Sequence, residues 1–325
     1  MDKKINKGIN VLSLFDGISC GQIALQRAGI KVDNYFASEI DKHAISVAEK
    51  NYPNTIQLGS VLGWESWDLP KIHLIVGGSP CTGFSRAGKG LNFEDPQSKL
   101  YFEFIKAVKH FEPEYFFLEN VKMKKEYQDI VSNDLGVQPI EINSSLVSAQ
   151  NRKRLYWTNI SNVSAPADKN IFLDKVLYRL PHGYMTESIP LERKYPTLAA
   201  QSPGTKHKVI ENYELSEYAK SRVNERKNNK TGLVYSWYND KVHIEKTPTL
   251  TSNSNCWSAT GGIIVIENEQ YRTLTPEECE ELQTLPHGYT NNINKTQRYK
   301  CIGNGWTVDV IAHIFSSLPQ KFKNE

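Results

Sequence analysis

The sequence predicts an α/β fold with a mostly parallel sheet and a smaller inserted domain. Three observations lead there. Short apolar runs alternate with amphipathic stretches through the first half, as in successive βαβ units. Two of the runs end in residues that can carry chemistry, at the sheet edge where open α/β folds place their ligands. Beyond about Ser161 the periodicity fades, and it returns only near Thr275.

The elements follow in order. Val11–Phe15 reads as the first strand and Gly21–Ala28 as the helix after it. Tyr35–Ser38 is the next strand and Lys42–Asn51 the next helix. Ile72–Val76 is a buried strand, Lys99–His110 a helix, and Tyr115–Leu118 a strand. From 161 to 268 Pro, Asn, Ser, Gly and Lys increase, and the related phrases Tyr195-Pro196-Thr197-Leu198 and Thr247-Pro248-Thr249-Leu250 occur. Residues 193–246 carry about five more positive than negative charges, which suits either phosphate contacts or a solvated helix end. Thr275-Pro276-Glu277-Glu278 has the signature of a helix start. Ile302–Trp306 is expected to open a last apolar-faced helix, Val308–Leu318, that packs back on the first-half sheet. The division expected is therefore 1–160 with 269–325 as one domain and 161–268 as an insertion.

Composition narrows the class. With 39 Lys and Arg against 36 Asp and Glu, overall charge neither requires nor excludes nucleic acid. The five cysteines, Cys20, Cys81, Cys256, Cys279 and Cys301, include no C-x-x-C pair, so neither a disulfide framework nor a metal site is expected. No apolar run reaches membrane-spanning length, and the basic start lacks the apolar core of a signal peptide. A cytoplasmic protein is expected.

Chemistry concentrates at four strand ends. Gly77-Gly78-Ser79-Pro80-Cys81 presents a thiol after a buried strand, a candidate nucleophile. Glu119, in Phe116-Phe117-Leu118-Glu119-Asn120-Val121, places a carboxylate after another. Thiol and acid together suit covalent attack on an electron-poor ring. After the first strand, Asp16-Gly17-Ile18-Ser19-Cys20-Gly21 permits a tight bend, without the dinucleotide G-x-G-x-x-G spacing. Glu39 ends the following strand, where an acid typically meets ribose hydroxyls. Asp16 and Glu39 beside that turn suit a cationic nucleoside such as S-adenosylmethionine.

In order along the chain, these residues resemble the DNA cytosine-carbon-5 methyltransferase family. The matching phrases are Phe15-Asp16-Gly17 with Gly21, Pro80-Cys81 with Phe84-Ser85, and Glu119-Asn120-Val121. Gln150-Asn151-Arg152-Lys153-Arg154, then Arg272 to Gln283, and finally Gly303-Asn304-Gly305 complete the set. Val11–Ile18 and Gly305–Val308 are most similar in wording to catalytic domains of animal de novo enzymes, while the compact length resembles bacterial and bacteriophage ones.

The resemblance implies a Rossmann-like, S-adenosylmethionine-dependent methyltransferase fold acting on double-stranded DNA, with S-adenosylhomocysteine as product. It implies Cys81 as nucleophile, Glu119 as the acid at ring nitrogen 3, and Arg154 at the base carbonyl and orienting Cys81, with Arg152 close by. It places Phe15, Asp16, Gly17, Gly21, Glu39, Ile40, Ser60, Pro80, Leu100, Asn304 and Trp306 around the donor. Ser60 and Ile40 depart from the family's usual aspartate and bulky aromatic. Ser85, Arg86, Lys89 and Thr249 are assigned to DNA, and 161–268 to target recognition. A monomer is expected, with a cognate restriction endonuclease in the same host as a candidate partner. A tRNA cytosine methyltransferase and a catalytically silent DNA-binding regulator of the same fold are the competing readings.

Overall fold

The computed structural model describes residues 8–79, 96–177, 234–236, 241–243, 246–247, 249–250, 263–267 and 270–324. Seven strands, β1 (Ile9–Leu14), β2 (Val32–Ser38), β3 (Ile56–Gln57), β4 (Leu74–Gly77), β5 (Tyr115–Val121), β6 (Ile140–Asn143) and β7 (Lys153–Thr158), form one sheet. Its order is β3-β2-β1-β4-β5-β7-β6. The first five strands are parallel, and β7 runs antiparallel to both β5 and β6. The chain departs from β1 to opposite sides, first to β2 and later to β4, which opens a crevice at the carboxyl edge.

The helices are α1 (Cys20–Arg27), α2 (Lys42–Asn51), α3 (Pro96–Phe111), α4 (Lys125–Leu135), α5 (Leu173–Val176), α6 (Pro276–Leu282), α7 (Lys295–Asn304) and α8 (Val308–Phe315). A separate antiparallel sheet has the order β11-β10-β8-β9, from β8 (Val234–Ser236), β9 (Lys241–His243), β10 (Ile263–Glu267) and β11 (Gln270–Thr273). β11 lies beyond residue 268, and its partner β10 before it.

Strand alternation divides the core into two layers. Val11, Tyr35, Leu74, Val76, Phe117 and Tyr156 face one side, with α1 and α8. Leu12, Phe36, Ile75, Leu118 and Trp157 face the other, with Tyr101 and Phe104 of α3. Successive strand residues point to opposite faces, so strands covered on both sides read as continuous apolar runs. The tail returns to the sheet as expected, since Val308, Ile311 and Phe315 share a core with Val11 and Leu74. Leu173, Val176 and Leu250, from the segment read as inserted, are buried in that same core.

One expectation needs correction. Ile302–Trp306 does not open the last helix: Ile302, Gly303 and Asn304 close α7, and Thr307 is the N-cap of α8. The α7 end is set by side chains that capture its carbonyls, a long-range effect invisible to local pattern. Residues 125–158 also hold more structure than the sequence pattern shows, namely α4, β6 and β7. The start at Thr275 is as expected, with a full capping box between Thr275 and Glu278 and Pro276 in the first turn.

Phe315 is fully buried and meets Phe117 edge-on, ring centroids 5.3 Å apart at 72°. Phe315→Ala is expected to cost about 3–5 kcal/mol through lost burial and a cavity under the sheet. Urea denaturation of the two proteins measures it.

Candidate active site

The β1–α1 turn is wound through left-handed residues, Phe15 at φ 59°, Gly17 at φ 60° and Ser19 at φ 58°. Side chains rarely adopt this region, so Phe15 and Ser19 hold a conformation costing on the order of 1 kcal/mol each. Glu39 secures the turn: its Oε2 accepts the Gly17 N–H at 2.8 Å. Its Oε1 accepts the N–H groups of Ile40 and Asp41 at 2.7 and 2.9 Å. Three acceptor directions are thus used, and a carboxylate has about four. The remaining one suits a ribose hydroxyl.

Asp16 sits half-buried behind this turn. Its Oδ1 accepts from the Tyr35 hydroxyl at 2.8 Å, and its Oδ2 accepts from Ser19 Oγ. Loss of water raises its pKa to about 6, against the pull of the Ser13, Ser19 and Tyr35 hydroxyls. Among the described residues it forms no ion pair, so it suits a cationic ligand group.

Around the turn, Ile40 is 76% exposed, a large aliphatic surface next to Glu39. Ser60 is exposed and spends its hydroxyl oxygen as a cap, accepting the Leu62 N–H at 3.3 Å. Leu100, half-buried on α3, leans on the second core layer. Asn304 is exposed at the end of α7. Trp306 is half-buried and edge-on to Phe117, centroids 5.3 Å apart. A side-chain carbon on Gly21 would stand 2.8 Å from the Tyr35 hydroxyl and 3.7 Å from the Trp306 ring. Gly21, Tyr35 and Trp306 thus meet from α1, β2 and the α7–α8 junction, and the acids Asp16 and Glu39 beside them fit a cationic nucleoside.

The second half of the site lies at the end of β5. Antiparallel pairing sets Glu119 opposite Tyr156 and Val121 opposite Arg154. Arg154 Nε lies 2.9 Å from Glu119 Oε1, and both side chains are mostly shielded. In the turn after β4, Ser79 Oγ accepts from Asn120 Nδ2 at 3.1 Å, so Asn120 ties that turn to the end of β5. Gly78 is hemmed in: a carbon added there would stand 2.8 Å from Trp306 Nε1 and 3.3 Å from Glu119 Oε2. Pro80, Cys81, Ser85, Arg86 and Lys89 lie outside the described residues.

Arg152 is placed differently from Arg154. It is 4% exposed. Its guanidinium donates to the carbonyls of Leu250 and Gly305, both at 3.0 Å, and of Gly303 at 3.4 Å. A cation at the carboxyl end of α7 also complements the helix dipole. Thr249 is half-buried and donates to the Asn151 carbonyl at 2.9 Å.

Sequence reasoning missed the groups beneath these. Gln283 donates to the carbonyls of Ile302 at 2.9 Å and Gly305 at 3.2 Å. Its Oε1 accepts from Gln150 Nε2 at 3.1 Å and from Thr307 Oγ1 at 2.8 Å. Gln150 also accepts the Leu250 N–H at 2.8 Å. Polar residues at core positions, such as Gln283 after Leu282, were the available signal. Tyr35 was read only as part of a strand. Among the described residues no cluster of three or more metal-ligating side chains occurs, and no helix is long and apolar enough to cross a membrane.

Comparison with known proteins supplies the context. The family described as C-5 cytosine-specific DNA methylase matches residues 9–320. The chain is 30% identical to the type II methyltransferase M1.ScrFI of Lactococcus lactis subsp. cremoris, over 93% of this chain and 75% of the relative. It is 24% identical to the type II methyltransferase M.HhaI of Haemophilus parahaemolyticus, over 96% and 94%. In fold it is similar to the Entamoeba histolytica methyltransferase EhMeth, with a TM-score of 0.66, 17% identity and 96% and 98% of the two chains covered. The S-adenosylmethionine-dependent fold, the acid–arginine pair and a family match spanning nearly the whole chain agree. The chain belongs to the C-5 cytosine-specific DNA methylases and is a DNA (cytosine-5-)-methyltransferase.

Proposed function

We propose that this enzyme methylates carbon 5 of a cytosine flipped out of duplex DNA, through a transient bond from Cys81 to carbon 6. The observation that carries the reading is the shielded Glu119–Arg154 pair, 2.9 Å apart, beside the turn that leads to Cys81. Aromatic cytosine is a poor nucleophile at carbon 5. Thiolate addition at carbon 6 breaks the conjugation and makes carbon 5 enamine-like. Glu119 protonates or hydrogen-bonds ring nitrogen 3 as charge builds there. Arg154 holds the Glu119 carboxyl and reaches toward the base carbonyl. S-adenosylmethionine, when bound, supplies the electrophilic methyl group. An ordered water, acting as base, then takes the carbon 5 proton, and elimination of Cys81 restores the ring.

Glu39 anchors the donor's ribose, Ile40 covers its adenine, and Asp16, Gly17, Gly21 and Trp306 frame the rest. Flipping is required because a stacked base exposes neither face to thiol and donor, and it costs a few kcal/mol. Ser85, Arg86 and Lys89 close on the DNA, and most of 161–268, with its excess of positive charge, reads the target. Arg152 serves as a brace between the Leu250 segment and the α7 end rather than as a contact to the base. The protein acts as a monomer, and the type II names of its relatives suit a restriction–modification role beside a cognate endonuclease.

Expression in a methylation-free host followed by bisulfite sequencing should reveal protected cytosines in one short context. Complete conversion everywhere would sink the DNA reading, as would undiminished protection by Cys81→Ala. Glu119→Gln should keep the fold and lower kcat by about 10²–10⁴-fold, the usual worth of a positioned acid. The two arginines should separate. Arg154→Ala should lose turnover at near-normal stability. Arg152→Ala, which takes a donor from the carbonyls of Leu250, Gly303 and Gly305, the last of which keeps Gln283, should lower stability by about 3 kcal/mol in urea titrations.

A further inference from the structure

We propose that Tyr35 is a positioning residue for the methyl donor: from inside β2 it holds Asp16 as an anionic seat, at the glycine turn, for the donor's positive charge. The inference rests on the donor site described above and adds a residue and a dependence to it.

Tyr35 lies opposite Val11 in the sheet and is 4% exposed. Its ring packs in the core, yet its hydroxyl crosses beneath α1 to donate to Asp16 Oδ1 at 2.8 Å. Gly21 leaves the room for this, since a side-chain carbon there would lie 2.8 Å from the hydroxyl oxygen. Ser19, held in a left-handed conformation, donates to the other oxygen. Both oxygens are thereby fixed, by neutral donors only.

The groups facing Asp16 make the arrangement one-sided. Ser13 comes from β1, Tyr35 from β2, Glu39 from the residue just after it, Cys20 from α1 and Tyr289 from the segment after α6. Glu39 is a like charge, and the others are neutral at physiological pH. A desolvated carboxylate is normally paired with a cation. Here, among the described residues, the cation is left to the ligand. S-adenosylmethionine carries two positive groups, an ammonium and a sulfonium, and its product keeps only the ammonium.

A linked consequence follows. Asp16 titrates near 6 without the ligand. A cation stabilises the carboxylate, so the bound form has the lower pKa. Affinity is then constant well above pH 6 and falls as pH drops below it, up to tenfold per unit, with uptake of the ligand expelling a proton. Tyr35 donates to the charged form, so its removal moves the midpoint upward.

The test is calorimetric binding of S-adenosylmethionine and S-adenosylhomocysteine from pH 5 to 8.5, in buffers of different ionisation enthalpy to count protons. Wild type should show the fall below pH 6 and proton release there. Asp16→Asn should bind weakly with a flat profile. Tyr35→Phe should bind about tenfold more weakly at neutral pH, with a raised midpoint and recovery toward wild type at pH 8.5. A steeper loss for the donor than for the product assigns the sulfonium; equal losses assign the ammonium; both support the proposal. A flat wild-type profile, or a Tyr35→Phe defect equal at every pH, overturns it. Glu39→Ala is the separate control: if it binds as tightly as wild type, or if wild type binds at no pH, the donor site itself is misplaced and the inference falls with it.

Discussion

A buried knot of amides, hydroxyls and one guanidinium joins the two ends of this chain. Ser144 Oγ donates to Thr307 Oγ1, Thr307 to Gln283, and Gln150 to Gln283. Arg152 and Gln283 together take up the carbonyls at the end of α7. Each member is satisfied by another, and a polar network buried this deeply tolerates little displacement, because an unpaired group in the interior is costly. Apolar packing of α8 on α1 brings the tail back to the sheet; the knot sets where along the sheet it stops. Trp306 is carried directly on that junction, so the wall of the donor site inherits its position from it.

The sheet does the complementary task. Parallel strands β1, β2, β4 and β5 all deliver their carboxyl ends to one edge, which brings Asp16, Glu39, Gly78 and Glu119 together. The antiparallel β7 alters the far side. By running against β5 it lays Arg154 two positions from the residue opposite Glu119, within reach of its carboxyl group. An additional parallel strand would have brought its chain end, not its start, to this edge. Farther out, Arg298 bridges Glu277 at 2.7 Å and the fully buried Glu280 at 2.9 Å, linking α6 and α7 with charges whose lone pairs are also met by Gly288 and Thr290.

Much of this was legible in the sequence, for physical reasons. Doubly covered strands leave unbroken apolar runs, so β1, β4 and β5 stood out, and α2 begins and ends where its pattern says. Thr275 announced α6 because capping is local chemistry. Glu39 and Glu119 were readable as strand-end acids. What escaped depends on distant partners. β7 begins with the charged pair Lys153 and Arg154 and becomes a strand through its neighbours. The end of α7 is decided by Arg152, some 150 residues earlier in the chain. Arg152 and Arg154 share a period-two spacing, which suggests a common face, yet one guanidinium supports backbone and the other meets an acid. Tyr35 looked like any aromatic in a strand, because only the bend of the following turn brings a carboxylate to its hydroxyl.

Gly78 gives this design its narrowest tolerance. The indole of Trp306 and the Glu119 carboxyl both crowd the point where a side-chain carbon on it would sit. In the function proposed above, the first borders the methyl source and the second the pyrimidine, so a residue without a side group is what lets the two halves of the site close to contact there. Any side group forces one of them to shift, and with it the gap that a methyl group has to cross.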